Sequence, residues 1–376
     1  SGADCVPAGD CARFRDYLSV EAGGASGAWK GHSDRGTDSS GDCTGTALCS
    51  KLAELRSWHR PRDTPLCFTA EPLQYQTTEL VAMKLFGHRG ASSACPENTA
   101  AAFTNALSGD GGKRPATTGV ECDMQLLSDG TIIVLHDDTL RRTADHAVNA
   151  AHAALFDTAV TELSWDELRD VDVGAWKDPK WAGERMLPVA EFFALIASSK
   201  GAAALVELKG GDQAMVEPAV AAARVALEDG GLAAESIWWI SFDLQLVGAM
   251  KNALPQTSAW HVAHVTPAQG EAKCLELIAA AQKAGIDGVD FAALPDVVTP
   301  AVFEAAKTAG IGIGVWVSSG LGRSYGAALD TPANCKVFSE RGAVFFTSDM
   351  PEDVWAWWAQ EGAGAAAQQA LASPQL

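Results

Sequence analysis

The sequence has no apolar run near the ~18 residues that a membrane-crossing helix needs, so no integral membrane segment is expected. Positive charge is also scarce: 28 Lys and Arg stand against 47 Asp and Glu, a formal net charge of −19. Such a surface suits neither nucleic acid nor anionic membranes. It also repels an anionic substrate at long range, so any phosphate site must supply local positive charge from a metal ion, Arg or Lys. No Cys-x-x-Cys pair occurs, which argues against a zinc ribbon. The chain begins Ser-Gly-Ala without a secretory leader and is read as a mature or trimmed form.

Cysteine is present but unevenly placed. Cys5, Cys11, Cys43, Cys49 and Cys67 fall early; Cys95, Cys122, Cys274 and Cys335 are spread over the remainder. Cysteines clustered in a polar, glycine-rich segment suggest disulfides and an oxidising compartment, secreted or periplasmic. Two bridges are expected within residues 1–67 and a third to Cys95, whereas Cys122 is expected as a buried free thiol. Residues 1–80 read as a cysteine-containing N-terminal extension. They form either a structural flap or a wall that narrows the substrate site.

From Val81 the pattern becomes regular. Strands are expected at 82–87, 119–124, 203–208, 236–241, 258–263, 287–291, 311–317 and 343–347, alternating with helices. Ser128-Asp129-Gly130 is a tight turn that returns residues 131–135 as an antiparallel strand. Residues 137–185 are irregular, with a short helix capped by Ser164. Eight strands alternating with helices imply a right-handed α/β array, and charge at so many strand ends favours a closed (β/α)8 TIM barrel over 81–360. A last helix carries Trp355, Trp357 and Trp358; without flanking basic residues it is read as packing on the barrel rather than on a membrane. Residues 361–376 read as a flexible tail.

The chemistry gathers at the strand ends. Glu121 and Asp123 are two apart, so on a strand they share a face, where two carboxylates repel unless a cation lies between them. Hard oxygen ligands favour Mg²⁺ or Ca²⁺. Glu207 and Lys209 repeat the spacing; alone they would make a salt bridge at the barrel mouth. His88 and His136 each follow apolar β-type residues and are candidates for acid–base work. Arg89 offers a fork for phosphate oxygens or an ion pair with Glu97. Trp316 is either an apolar wall of the site or barrel packing.

The ordered set His88-Arg89-Gly90, Pro96-Glu97-Asn98-Thr99, Glu121-x-Asp123, His136-Asp137, Leu140-Arg141-Arg142-Thr143, Glu207-x-Lys209, Ser241-Phe242, Gly288-Val289-Asp290-Phe291, Trp316-Val317 and Thr347-Ser348-Asp349-Met350-Pro351 resembles the glycerophosphodiester phosphodiesterase family. The resemblance spans about residues 83–358. It implies metal-dependent hydrolysis of glycerophosphodiesters, that is, deacylated phospholipids, to glycerol 3-phosphate and an alcohol. It places Glu121, Asp123 and Glu207 on one divalent metal ion, and His88 and His136 in acid–base roles. Arg89, Lys209, Trp316 and Asn98 are expected on the substrate, and residues 137–185 match the family's insertion over the site. Two departures stand out: Trp-Val-Ser-Ser at 316–319, and Thr-Ser-Asp where Thr-Asp is commoner, which leaves the role of Asp349 open. The alternatives are a sphingomyelinase D-like phospholipase on the same barrel and a non-catalytic barrel protein.

Overall fold

A computed structural model describes residues 83–108, 117–318, 321, 322, 324 and 329–360. The N-terminal extension, its five cysteines and the disulfides expected there lie outside the described residues, as do the tail and the side chains of Trp355, Trp357 and Trp358.

Eight parallel strands close into a barrel in the order β1 (Lys84–Gly87), β2 (Gly119–Leu126), β4 (Ala203–Leu208), β5 (Ile237–Ser241), β6 (Ser258–Ala263), β7 (Gly288–Ala292), β8 (Gly312–Trp316) and β9 (Phe345–Ser348). Closure comes from β1 pairing with both β9 and β2. β3 (Ile132–Val134) is antiparallel to β2 and stands outside the ring, as the Ser-Asp-Gly turn implied. The helices are α1 (Ala100–Ser108), α2 (Trp165–Leu168), α3 (Val189–Ser198), α4 (Val216–Glu228), α5 (Leu244–Ala253), α6 (Gly270–Ala284), α7 (Pro300–Ala309), α8 (Pro332–Arg341) and α9 (Pro351–Gln360). The α9 helix buries Val354 completely.

Period-two alternation sorts each strand into two faces. Outward residues such as Cys122, Met124, Val206, Leu208 and Trp239 join one large core with buried helix residues including Phe103, Phe192, Phe193 and Val302. Inward residues at the lower end of the barrel form a separate aromatic plug: Phe86, Trp238, Trp260 and Phe345 with Ala203, Leu205, Ile240 and Val262. Trp238 stacks on Trp260 at 5.5 Å with 10° between their planes, and the Phe345 ring stands edge-on to Trp260 at 5.0 Å. Rings of this size fit because facing positions are glycine. A Cβ on Gly288 would lie 2.0 Å from the Trp260 ring, and one on Gly314 would lie 2.1 Å from Phe345.

Residues 127–187 are less irregular than the sequence suggests. Leu127, Ile133, Leu135, Leu140, Phe156, Val160, Leu163, Leu168, Val171 and Met186 make a small core of their own on the β2–β3 hairpin. The α2 helix is started by Ser164, whose backbone N–H donates to the Glu167 carboxylate at 2.8 Å.

All four described cysteines are free and buried. Cys122 faces outward under the helices as a small apolar side chain, as expected from its place between two inward carboxylates. Cys95 departs from expectation: it is a free thiol with 1% exposure. Its backbone N–H donates to the Ala91 carbonyl at 2.9 Å, in a turn that packs the side chain into the interior.

The plug yields a stability prediction. Gly288→Ala forces a methyl group into the Trp260 ring. It should destabilise the fold by about 1–3 kcal/mol, read as a lower urea midpoint at unchanged slope. An unaltered midpoint would show that the plug can repack.

Candidate active site

The inward positions at the C-terminal ends of the strands bring the sequence candidates together. His88, Arg89, Glu121, His136, Glu207, Lys209, Phe242, Asp290, Trp316 and Thr347 line one cavity of about 260 Å³. This is the end of a (β/α)8 barrel where active sites form. The i, i+2 readings hold: Glu121 with Asp123 and Glu207 with Lys209 each reach the same interior.

Glu121, Asp123 and Glu207 each offer an oxygen within 4.8 Å of the others. All three residues are buried. Asp123 is held by cations: Lys209 Nζ lies 3.0 Å from Oδ1, Arg89 Nε lies 3.4 Å from Oδ2, and the Asn98 amide donates to Oδ2 at 2.7 Å. Burial opposes its ionisation, but Lys209, Arg89 and Asn98 outweigh burial and hold it well below the usual carboxylate range. Glu121 differs: burial, then the Asp123 and Glu207 charges, push its carboxyl up. Glu207 also moves up, through burial first and Asp123 second, although Lys209 donates to it at 2.9 Å.

The three therefore do not ionise comfortably together with only two cations nearby. Glu121 Oε1 is buried without a hydrogen-bond partner in the protein, and Asp123 Oδ1 has the Lys209 ammonium at 3.0 Å. Hard oxygens, clustered and short of positive charge, fit a divalent ion, which would draw all three into the charged form.

The loop after β1 is held in a strained backbone. Arg89 has φ 56° and Asn98 φ 59°, both in the left-handed region that side chains avoid. The two are tied together, because the Asn98 N–H donates to the Arg89 carbonyl at 3.0 Å. The strain has a use: it turns the Arg89 N–H onto Glu121 Oε2 at 2.8 Å. Gly90 follows at φ +82° with its missing Cβ only 2.5 Å from the Ala102 backbone, so His-Arg-Gly ends in the one residue that fits. Arg89 makes the expected ion pair with Glu97 at 2.7 Å and also lines the cavity. Asn98 is a correction. It is 3% exposed, grips Asp123 and does not line the cavity, so it orients a candidate metal ligand rather than meeting substrate.

Each histidine has a carboxylate behind it. His88 Nδ1 lies 2.5 Å from Asp349 Oδ1, which leaves Nε2 on the side of Glu121 Oε2, 4.0 Å away. His136 Nδ1 lies 2.7 Å from Asp137 Oδ1. Asp137 is itself fixed, since Arg142 Nε donates to Oδ2 at 2.6 Å and the Gln125 amide donates to its carbonyl at 2.7 Å. Arg142 also donates to both oxygens of Glu97 at 2.6 and 2.7 Å, so one guanidinium links the two histidine-bearing loops.

Asp349, Asp137 and Arg142 had no role assigned from sequence. Asp349 carried a signal: it lies two residues beyond Thr347, so it returns to the inward face despite the extra serine. Ser348 turns away and its hydroxyl donates to Asp330 at 2.7 Å, as does the Asp349 N–H. Burial pushes the Asp330 carboxyl up to about 6. Trp316 lines the cavity with the exposed ring of Phe242 edge-on at 6.2 Å. His264 packs on Trp316 at 6.2 Å, while His261 Nε2 stays on the Phe242 carbonyl at 3.2 Å.

Residues 88–319 match the family model described as the glycerophosphoryl diester phosphodiesterase family. A glycerophosphodiester phosphodiesterase from Caldanaerobacter subterraneus is 33% identical over 127 residues, which cover 34% of this chain and 45% of that one. The chain thus spans less than half the length of that relative. Among solved structures, a glycerophosphodiester phosphodiesterase from Agrobacterium tumefaciens aligns with TM-score 0.53 at 21% identity, over 73% of this chain and 99% of that one. A phosphodiesterase from Oleispira antarctica, in complex with the product sn-glycerol-3-phosphate, aligns with TM-score 0.55 at 21% identity, over 73% and 95%. These two likenesses establish the barrel; the family match, which spans the strand ends from His88 to Trp316, establishes that the chain belongs to the glycerophosphoryl diester phosphodiesterase family.

Proposed function

We propose that the protein hydrolyses glycerophosphodiesters to glycerol 3-phosphate and an alcohol. The observation that carries this reading is the convergence, at one end of the barrel, of three clustered buried carboxylates with a cavity lined by two cationic side chains and two carboxylate-backed histidines. A phosphodiester needs each of these. Its single negative charge calls for cations, and its P–O cleavage needs a base on one side and an acid on the other. Family membership and the product bound to the Oleispira phosphodiesterase support the same reaction.

Glu121, Asp123 and Glu207 would hold one divalent ion, Mg²⁺ or Ca²⁺, which supplies Lewis-acid polarisation of the phosphate and neutralises its charge. Lys209 stays protonated because Asp123 and Glu207 outweigh the cost of its burial. Arg89 is held charged in the same way by Asp123, Glu97 and Glu121. Both therefore offer fixed positive charge to phosphate oxygens.

His88 donates its Nδ1 proton to Asp349, leaving the Nε2 lone pair free to accept a proton from the attacking hydroxyl, either water or the substrate's own glycerol 2-hydroxyl. As the new P–O bond forms and the bond to the alcohol breaks, His136 gives a proton from Nε2 to the leaving oxygen. Attack by water yields glycerol 3-phosphate directly. Attack by the 2-hydroxyl yields a cyclic phosphate that water then opens, with His136 taking the proton from water and His88 returning one to the 2-oxygen. Asp137 stabilises that imidazolium; burial opposes its charge, but His136 and Arg142 keep it ionised.

Two predictions follow from these roles. Millimolar Mg²⁺ or Ca²⁺ should raise the melting temperature of metal-stripped protein, and Glu207→Gln should blunt that shift. Turnover should vanish on exhaustive chelation and return on metal add-back, so full activity in excess EDTA would overturn the metal assignment. Second, His88→Ala and His136→Ala should each lower kcat by ~10²–10⁴-fold with the fold intact by circular dichroism. Asp349→Asn should give a smaller loss with an altered pH profile. The assay is glycerol 3-phosphate release from a panel of glycerophosphodiesters, with intact phospholipid and sphingomyelin as comparison. Cleavage of the intact lipids alone would favour a phospholipase.

A further inference from the structure

His88 rests on Asp349, and Asp349 stands where the strand ladder of the barrel has run out. β9 pairs with β8 as far as Thr347 and with β1 as far as Ser348. Ser348 is fully buried, and the next backbone N–H, that of Asp349, has no strand to receive it. Asp330 fills the gap. One of its carboxylate oxygens accepts from the Ser348 hydroxyl and the other from the Asp349 N–H, each at 2.7 Å. Both oxygens are thus spent on the dipeptide that carries the partner of His88. Ser348, the extra residue of the Thr-Ser-Asp sequence, supplies the second donor, so that departure and Asp330 make one device.

Asp330 is itself firmly anchored. It precedes Thr331, the cap of α8, whose hydroxyl accepts from the Asn334 N–H at 3.2 Å. The Asn334 amide donates to the Leu329 carbonyl at 2.9 Å and to the Ala293 carbonyl at 3.1 Å, which ties residues 329–330 to the end of β7. Asp330 is 9% exposed, and among the described residues no Lys or Arg pairs with it. Burial pushes its carboxyl up to about 6 in spite of both hydrogen bonds. A carboxyl kept in such surroundings is costly, and packing alone does not require one.

We propose that Asp330 is a positioning residue for the catalytic base: it fixes the Asp349 main chain, so that the Asp349 carboxylate stays on His88 Nδ1 and Nε2 is presented towards the carboxylate triad. This rests on the reading of His88 as the base in phosphodiester hydrolysis. Asp349 also accepts from the Ser92 hydroxyl at 3.2 Å and, at its carbonyl, from the Ser93 N–H at 3.0 Å. Those contacts come from the same loop as His88, so they move with it. Asp330 reaches Asp349 from the other side, from an anchor on α8 and β7. Without it, the buried Asp349 N–H would lack an acceptor, and the peptide would turn to find one, carrying the side chain away from His88.

The test is a set of variants read in two ways. Asp330→Ala should lower kcat on glycerophosphocholine about 10-fold with KM within about two-fold, since the group it positions acts on the moving proton and not in ground-state binding. Asp330→Asn keeps an oxygen for the Asp349 N–H and should recover most of that loss. In an Asp349→Asn background, Asp330→Ala should change kcat by less than about two-fold, because its effect passes through Asp349. Melting temperatures report folding separately. If Asp330→Ala does not fold, Asp330→Ser replaces it, its side chain being too short to reach the Asp349 N–H.

The second readout needs no turnover. In protein labelled with 15N-histidine, with Mg²⁺ present, the His88 Nδ1–H should give a downfield proton resonance, identified by its loss in His88→Ala. It should persist in Asp330→Asn and move upfield or broaden in Asp330→Ala. Equal losses of kcat in the wild-type and Asp349→Asn backgrounds would overturn the inference, as would an unmoved His88 resonance in Asp330→Ala. A resonance missing from the wild type would overturn it too, since His88 would not be held by Asp349. A wild type that turns over no diester removes the proposed reaction, and the His88 resonance then decides on Asp330 alone.

Discussion

Three carboxylates crowded onto two neighbouring strands constrain the upper half of this molecule. Glu121 and Asp123 on β2 and Glu207 on β4 all face the barrel interior, and all are buried. Moving one such charge from water costs several kcal/mol unless it is paired and hydrogen-bonded. Much of the surrounding structure offsets that cost. Lys209 reaches back from the end of β4 to Glu207 and Asp123, and Arg89 covers Asp123. The strained loop after β1 exists to aim one backbone N–H and one amide at these oxygens. The offset remains incomplete, with Glu121 and Glu207 displaced towards protonation by burial and by their neighbours. That imbalance makes the triad compatible with a divalent ion, whose charge would draw all three carboxylates into the ionised form.

The histidines depend on the same centre through longer connections. The Glu97 that pairs with Arg89 also receives Arg142, and Arg142 holds Asp137, which holds His136. The insertion after β3 reaches the first loop a second time, where Lys177 donates to the Ser92 carbonyl at 2.7 Å. A segment with its own small core is thus docked on the barrel mouth by charge-assisted contacts, which are directional and fix geometry better than apolar packing does. On the opposite side, Asp349 backs His88 from β9, and the nearby Asp330 secures the Asp349 backbone.

Much of this was legible in the sequence because it follows from strand periodicity. Residues two apart share a face, so Glu121 with Asp123 and Glu207 with Lys209 could be placed before any fold was known. Cys122 could be turned outward by the same rule. The strands at 203–208 and 258–263 kept the bounds expected of them. What was less legible arises from contacts distant in sequence. Asn98 looked like a substrate ligand because it lies in a motif beside Arg89. Its actual partner is 25 residues away and was fixed only when β1 and β2 paired. Cys95 was read by topology as a bridging cysteine, but the turn after β1 faces it inward. Arg142 joins Glu97 across 45 residues, a contact no local pattern encodes. The core of residues 127–187 was missed because its apolar residues are spread over short turns and 3-10 segments, with neither period two nor period 3.6 to reveal them.

Asp290 illustrates a different limit. Its position was legible, since Gly288, Asp290 and Ala292 alternate on one strand face, yet nothing in a single sequence says whether an inward aspartate is compensated. Asp123 and Asp290 look alike there: each lies inside a largely apolar strand. In the fold, Asp123 meets an ammonium, a guanidinium and an amide, whereas Asp290 meets none of these, and burial, with the Glu207 charge second, pushes it well above the usual carboxylate range. The same side chain, on opposite walls of one barrel, is paired by the protein in one case and left without a hydrogen-bond partner in the other. A buried polar group that the protein could have satisfied and does not is a stability cost of about 1–3 kcal/mol. That cost falls at the C-terminal mouth of the barrel, where substrate contacts are made.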